Sequence, residues 1–123
     1  MTADEHVTLT VPATPDYLRL ARLASADAAS RAGFDYEEID DLRIAVTELC
    51  HLLIGADAKG EVTLAFHVTP DGVTIEGHAA QPGNPVDNEF SETLIATVVD
   101  EHSLTDGDGG RRFQLRKRRR SDE

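Results

Sequence analysis

The stretch that decides the fold is DYEEIDDLRIAVTELCHLLIG, from Asp35 to Gly55. Asp35 and Glu38 have the spacing of a capping box, in which two side chains and two backbone amides bond reciprocally at the start of a helix. Apolar residues then recur at steps of three and four, in one continuous stripe: Ile39, Leu42, Val46, Leu49 and Leu53. That spacing predicts an amphipathic helix with one face on a core. Gly55 marks its end, because glycine tolerates the left-handed backbone found there.

The residues before this helix predict a strand and another helix. The segment HVTLTV, from His6 to Val11, alternates between apolar residues and threonine, which is typical of a half-buried strand. Thr14 as a cap and Pro15 at the first helical position begin a helix that extends to about residue 32. Gly33 ends that helix.

A hairpin is predicted after the long helix. The segments EVTLAFHVT (61–69) and VTIEGHA (73–79) flank Pro-Asp-Gly, which predicts a two-residue loop at Asp71 and Gly72. In this register apolar residues oppose each other on one face and polar residues on the other: Val68 with Ile75, Phe66 with Gly77, His67 with Glu76, and Thr69 with Thr74. One face of the sheet is therefore expected to be buried and the other hydrated.

The last third of the chain predicts a loop, a helix and a strand. Residues 80–90 (AQPGNPVDNEF) are rich in turn-forming residues and form the loop. Ser91 caps a helix to about residue 101, residues 105–110 form a turn, and residues 111–117 form the last strand. The order β-α-α-β-β-α-β predicts an α+β two-layer sandwich, a mixed β-sheet with helices on one face. Residues 1–116 are expected to form one domain, and residues 117–123 a flexible tail that is first basic and then acidic.

Charge is unevenly distributed along the 123 residues, whose net charge is −11. Residues 1–110 carry 5 Lys and Arg against 21 Asp and Glu, whereas residues 111–120 carry 7 Lys and Arg and no acid. The acidic body disfavours nucleic acid. The basic run is interpreted as a strand followed by a solvated tail, or by a contact with an acidic protein partner. No apolar run of about 18 residues and no secretion signal is recognised, and we expect a cytoplasmic protein.

Residues that often carry chemistry are present, but their spacing does not predict a metal site. The five histidines have no HxxxH or CxxC context. Cys50 and His51 are adjacent on a helix and therefore do not face each other, so a buried structural cysteine is favoured over a thiol nucleophile. Glu48 lies beside the core stripe, either at its rim or in a pocket between helix and sheet.

The whole chain resembles the anti-sigma factor serine/threonine kinases, bacterial relatives of the histidine-kinase ATPase domain. The resemblance is carried by residues 7–50 (VTLTVPATPDYLRLARLASADAASRAGFDYEEIDDLRIAVTELC), 94–104 (LIATVVDEHSL) and 109–117 (GGRRFQLRK). It implies the histidine-kinase-like ATPase fold and a role in partner switching. Proteins of this family hold a sigma factor inactive, and a STAS-type antagonist competes for them until ATP-dependent phosphorylation of its serine resets the switch. Members commonly dimerise, and the family's partner-contacting arginine falls on Arg22.

The chain departs from this family in all three of its nucleotide boxes. Glu48 matches the catalytic base, but Leu52 stands where the family has a magnesium-binding asparagine. The stretch EGHAAQPG (76–83) has Gly77 or His78 where an aspartate recognises adenine. Ser91 and Thr93 replace the glycines of the Gly-x-Gly-Leu turn beside the phosphates.

These departures predict a pseudo-kinase that keeps the fold without the chemistry. No catalytic residue, no metal and no cofactor are expected, because a triphosphate would lack its metal ligand and its glycines. The chain is then an anti-sigma-factor-like regulatory binding protein for a sigma factor or an antagonist, as a homo- or heterodimer. The alternative is an ATP- and Mg²⁺-dependent serine/threonine kinase of the anti-sigma class with an altered pocket. A third interpretation is a partner subunit of an intact paralogue.

Overall fold

The computed structural model describes residues 4–86 and 89–120. The described chain contains five strands and three α-helices. In chain order they are β1 Glu5–Pro12, α1 Leu18–Arg31, α2 Tyr36–Ile54, β2 Glu61–Thr69, β3 Gly72–Ala79, α3 Glu89–Val98, β4 Glu101–Gly107 and β5 Gly110–Arg118. A single 3₁₀ turn, Pro15–Tyr17, precedes α1.

Helix α2 confirms the prediction made from its capping box and its apolar stripe. The Glu38 amide donates to Asp35 Oδ1 and the Asp35 amide donates to Glu38 Oε1, both at 2.8 Å. The stripe is buried except at its first residue, Ile39, which is half-buried. Gly55 ends the helix with a φ of 65°, a backbone conformation that other residues adopt at a cost.

Helix α1 begins differently from its prediction. Thr14 makes no side-chain cap; its carbonyl accepts from the Tyr17 amide at 3.1 Å, and the first turn is a 3₁₀ helix. Gly33 follows the end of the helix with a φ of 86°, as predicted. The buried face of α1 is made largely of small side chains, among them Ala21, Ser25 and Ala28, which permit close packing.

The two-layer α+β sandwich with helices on one face is confirmed, but the sheet differs in detail from its prediction. Its order is β1-β2-β3-β5-β4, and each neighbouring pair in the described chain is antiparallel rather than mixed. The difference arises because β4 was not predicted. The connection through α3 returns the chain so that β4 runs in the same direction as β3. β5 lies between these two strands, so they do not pair with each other.

The hairpin of β2 and β3 pairs two residues out of the predicted register. Phe66 lies opposite Ile75 and His67 opposite Thr74, and the loop is formed by Pro70 and Asp71. Proline has no N–H to close a two-residue loop, whereas its fixed φ suits the first central turn position. A shift of two residues keeps each side chain on its face, so the predicted buried and hydrated faces are correct.

Candidate functional site

Glu48 lies where α2 contacts α3. The Ser91 hydroxyl donates to Glu48 Oε1 at 2.6 Å, and both residues are half-buried. Ser91 was predicted as the cap of its helix, but α3 begins at Glu89, so the hydroxyl lies in the first turn and is directed at α2. The side chain of Glu48 on α2 and the first turn of α3 are therefore joined directly.

Leu52 lies one turn further along α2. Its side chain is 5% exposed and is part of the hydrophobic core. The side chain has no polar atom, and the backbone carbonyl accepts from Arg111 Nη1 at 3.1 Å. At this position the protein offers an apolar side chain, where a divalent cation would need an oxygen ligand.

Arg111 lies beside these positions and makes contacts that the sequence did not predict. Its guanidinium is buried and donates to three backbone carbonyls and one carboxylate. The acceptors are the carbonyls of Leu52, Leu53 and Gly83, each at 3.1 Å, and Asp106 Oδ1 at 2.8 Å. The sequence held a signal for this placement. Strand alternation puts Arg111 on the same face as Phe113 and Leu115, which are buried.

The loop after β3 is fixed to the end of α2. The Gly83 amide donates to the Ile54 carbonyl at 2.7 Å. Ala56 and Asn84 exchange two backbone hydrogen bonds of 3.0 Å, which form an isolated β-bridge. A Cβ at Gly83 would overlap the Ala56 carbonyl, so the two backbones pack too closely for any larger residue there.

Other predicted box positions do not join this site. His78 lies on the opposite face of the sheet, where its Nε2 is 2.7 Å from the Gly109 carbonyl. Gly77 is buried at the centre of β3, where a Cβ would overlap the ring of Phe113. Thr93 is exposed, and its hydroxyl donates to the Glu89 carbonyl within α3.

The residues present do not fit a magnesium-bound nucleotide. The metal position of the resemblance holds Leu52, and the carboxylate beside it, Glu48, already accepts from a hydroxyl. No group of three or more His, Cys, Asp or Glu suited to a metal occurs in residues 4–86 and 89–120. Across the same residues, no helix has the length and apolar character needed to cross a membrane.

Arg22 and Glu48 line one shallow groove on the outer side of the helices. The groove has a volume of about 510 Å³ and lies across all three helices. Its lining residues are Arg22, Asp40, Arg43, Ile44, Thr47, Glu48 and Leu94. Ile44 is 39% exposed, and Leu23, next to Arg22 in the chain, is 62% exposed. The groove therefore combines charges of both signs with accessible apolar surface.

Cys50 is fully buried in the core, as the sequence predicted. Burial raises the pKa of its thiol to about 12, because the thiolate would be desolvated. The thiol is therefore neutral at physiological pH and does not act as a nucleophile.

The basic run contacts acidic and carbonyl groups of the chain itself. The first two residues of the tail expected at 117–123 lie in strand β5, which continues to Arg118, and residues 121–123 lie outside the described residues. The Arg120 amide donates to Glu38 Oε2 at 2.6 Å, and its guanidinium contacts Asp35 and Glu37 at 3.1 Å. The Lys117 ammonium donates to the Val98 carbonyl at 2.8 Å.

The histidine kinase-like ATPase domain family matches residues 11–117. Serine-protein kinase RsbW of Listeria innocua is 40% identical over 79 residues, which are 60% of this chain and 50% of that protein. Serine-protein kinase RsbW of Bacillus subtilis is 32% identical over 104 residues, 81% of this chain and 64% of that protein. The chain thus spans between half and two thirds of these relatives.

A solved structure shares the fold. The crystal structure of the RsbU and RsbW domains of a Mycobacterium tuberculosis protein superposes with a TM-score of 0.70. The match covers 95% of this chain and 32% of the other, at 22% sequence identity. At that identity the likeness concerns the fold alone.

Proposed function

The chain belongs to the histidine kinase-like ATPase domain family, and from that membership we propose that it is an anti-sigma-factor-like regulatory binding protein, a pseudo-kinase. It acts in partner switching by stoichiometric binding of a sigma factor or a STAS-type antagonist in the cytoplasm, as a homo- or heterodimer. The family resemblance stated from the sequence is confirmed by the matched domain and by the RsbW relatives.

One observation carries the pseudo-kinase proposal. The side chain at the metal position, Leu52, lies in the core, and the kept carboxylate of Glu48 accepts the Ser91 hydroxyl. Phosphoryl transfer in kinases depends on metal ions that bridge the phosphates and on a free carboxylate that orients the attacking hydroxyl. Leu52 offers no side-chain oxygen to a metal ion, and Oε1 of Glu48 already accepts from Ser91.

The groove around Arg22 supports the binding part of the proposal. Protein interfaces combine accessible apolar side chains with arginine, and Arg22, Ile44 and Leu94 bring both together. The groove also contains Asp40 and Glu48, which suit basic side chains of a partner. A sigma factor or an antagonist would bind here through a mixed surface rather than through a purely charged one.

The test is binding of purified sigma factors and STAS-type antagonists of the source organism, with no nucleotide present. We expect one of them to bind, and Arg22→Glu to weaken that binding at least about tenfold, which is about 1.4 kcal/mol. Arg19→Glu is the matched control, because it makes the same charge change on α1 outside the groove. If none of these proteins binds, or if both variants bind alike, the proposal is wrong.

The alternative is an ATP-dependent serine/threonine kinase with an altered pocket. It is favoured by the relatives, which are named serine-protein kinases, and by Glu48, which is kept at the catalytic position. Calorimetry with ATP and Mg²⁺ separates the two. A Kd below about 1 mM, together with phosphorylation of an antagonist that Glu48→Gln abolishes, would establish the kinase. A native mass measurement distinguishes the homodimer from a heterodimer with a paralogue.

A further inference from the structure

We infer that Arg111 closes the former nucleotide pocket from within, by bonding the end of α2 to the loop after β3. The inference rests on the proposed function, since it concerns the pocket that a pseudo-kinase leaves unused. Its consequence is regulatory. The two stretches that a nucleotide would bring together are already joined, so the partner-binding conformation does not depend on ATP.

The first argument is the geometry of the guanidinium. The last carbonyls of a helix lack intrahelical partners and carry partial negative charge. Arg111 Nη1 donates to two of these carbonyls, those of Leu52 and Leu53, while Nη2 donates to the Gly83 carbonyl in the loop. One side chain therefore caps α2 and holds the loop against it.

The second argument is the identity of the joined stretches. Leu52 occupies the metal position of the family's first nucleotide box, and Gly83 ends the stretch that stands for the adenine box. A Cβ at Gly55 would lie 3.0 Å from Arg111 Nη1 and would overlap the Asn84 carbonyl. At Gly55 the end of α2 and the loop therefore pack too closely for a methyl group, and a ligand placed between them there would have to separate them.

The third argument concerns a rival role for Arg111. An arginine near such a pocket would ordinarily suit a phosphate. A guanidinium has five N–H groups, and four of those in Arg111 already donate to protein oxygens. The group is also 3% exposed. Arg111 is therefore a structural clamp between backbone segments and is not available as a phosphate ligand.

The test is amide hydrogen exchange of the full chain, comparing Arg111→Met with Arg112→Met. Arg112→Met is the control: it is the same substitution at the neighbouring residue, whose side chain lies on the exposed face of the sheet. The reporters are the amides of Ala56, Gly83 and Asn84, whose hydrogen bonds join residues 54–56, at and just after the end of α2, to the loop. We expect Arg111→Met to speed their exchange at least about tenfold relative to Arg112→Met, with a much smaller change in the hairpin of β2 and β3.

Two results would overturn the inference: equal exchange at the reporters in both variants, or an equal rise in the hairpin and at the reporters. If Arg111→Met does not fold, Arg111→Lys serves instead. Lysine keeps the charge, but one ammonium group cannot reach all the acceptors. We therefore expect the exchange rate of the same amides to rise, by less than in Arg111→Met. Wild-type exchange at the reporters should not change with millimolar ATP and Mg²⁺, and slowing there would also overturn the inference. The comparison of Arg111→Met with Arg112→Met uses neither a partner protein nor a nucleotide, so failure of the proposed partner binding would leave its result unchanged.

Discussion

Replacing Glu38 with glutamine should destabilise the protein far more than the same change at its neighbour Glu37. Glu38 is 2% exposed, and its two carboxylate oxygens accept separate backbone amides. The Asp35 amide donates to Oε1 at 2.8 Å and the Arg120 amide donates to Oε2 at 2.6 Å. Glutamine has almost the same shape but only one accepting oxygen. Whichever way its amide turns, one of the two backbone N–H groups, both in part-buried hydrogen bonds, would face another donor.

The magnitude follows from these two contacts. A hydrogen bond to a charged group contributes about 1.5–3 kcal/mol, and an unsatisfied buried donor costs about 1–3 kcal/mol. The two contributions overlap, so we expect Glu38→Gln to lower the free energy of unfolding by about 2–4 kcal/mol. For a chain of this length that corresponds to a fall in Tm of roughly 6–20 °C.

The measurement is urea unfolding followed by circular dichroism, with Glu37→Gln as the control. The Glu37 side chain is 75% exposed and contacts the same Arg120, but as a surface ion pair. Such pairs contribute about 0–1 kcal/mol. If the two variants differ by less than about 0.5 kcal/mol, Glu38 does not join the C-terminal residues to α2 as argued.

Three further predictions concern other parts of the structure. The pKa of Asp35 is lowered, chiefly by the hydrogen bond from the Glu38 amide, so its contribution to stability is present above the ordinary carboxyl pKa of about 3.9 and is lost as pH falls through the lowered value. Asp35→Asn should therefore make the urea midpoint fall less steeply as the pH is lowered. An unchanged dependence of the midpoint on pH would contradict this. Cys50 should not react with a thiol reagent at about pH 8 until the protein unfolds, because its pKa is raised to about 12, and rapid native labelling would show that it is accessible. Gly83→Ala should cost about 1–3 kcal/mol by calorimetry, since its Cβ meets a backbone carbonyl. Gly107→Ala, with open space around its Cβ, should cost far less, and equal losses would refute the close packing.

The parts of the fold that depend on neighbours in sequence were predictable. The start and end of α2 follow from Asp35, Glu38 and Gly55, because each of these residues affects only the helical turn next to it. The faces of the hairpin were also predictable, because alternation decides them. Its register was not decided by alternation, since a shift of two residues leaves every face unchanged. Only the missing N–H of Pro70 distinguishes the two loops.

The parts that depend on distant contacts were not predictable. In β4 only His102 and Leu104 are half-buried, so its alternation is too short to indicate a strand. Alternation along β5 could predict that Arg111 is buried, but not its hydrogen-bond acceptors, which lie up to 59 residues away in the sequence. The sequence singled out Glu48 and Arg22 separately and did not predict that the two line one groove. His78 lies on the other face of the sheet.

Two arginines, Arg111 near the start of β5 and Arg120 just after its end, bond α2 at its two ends. Arg111 bonds the last carbonyls of the helix, and Arg120 bonds the capping box at its start. Nineteen helical residues span about 28 Å, and the nine steps from Arg111 to Arg120 span about 30 Å in a strand. The two elements are thus matched in length. An insertion or deletion of one residue in β5 would need about two compensating residues in α2, so we expect the lengths of the helix and the strand to vary together among proteins that keep both arginines.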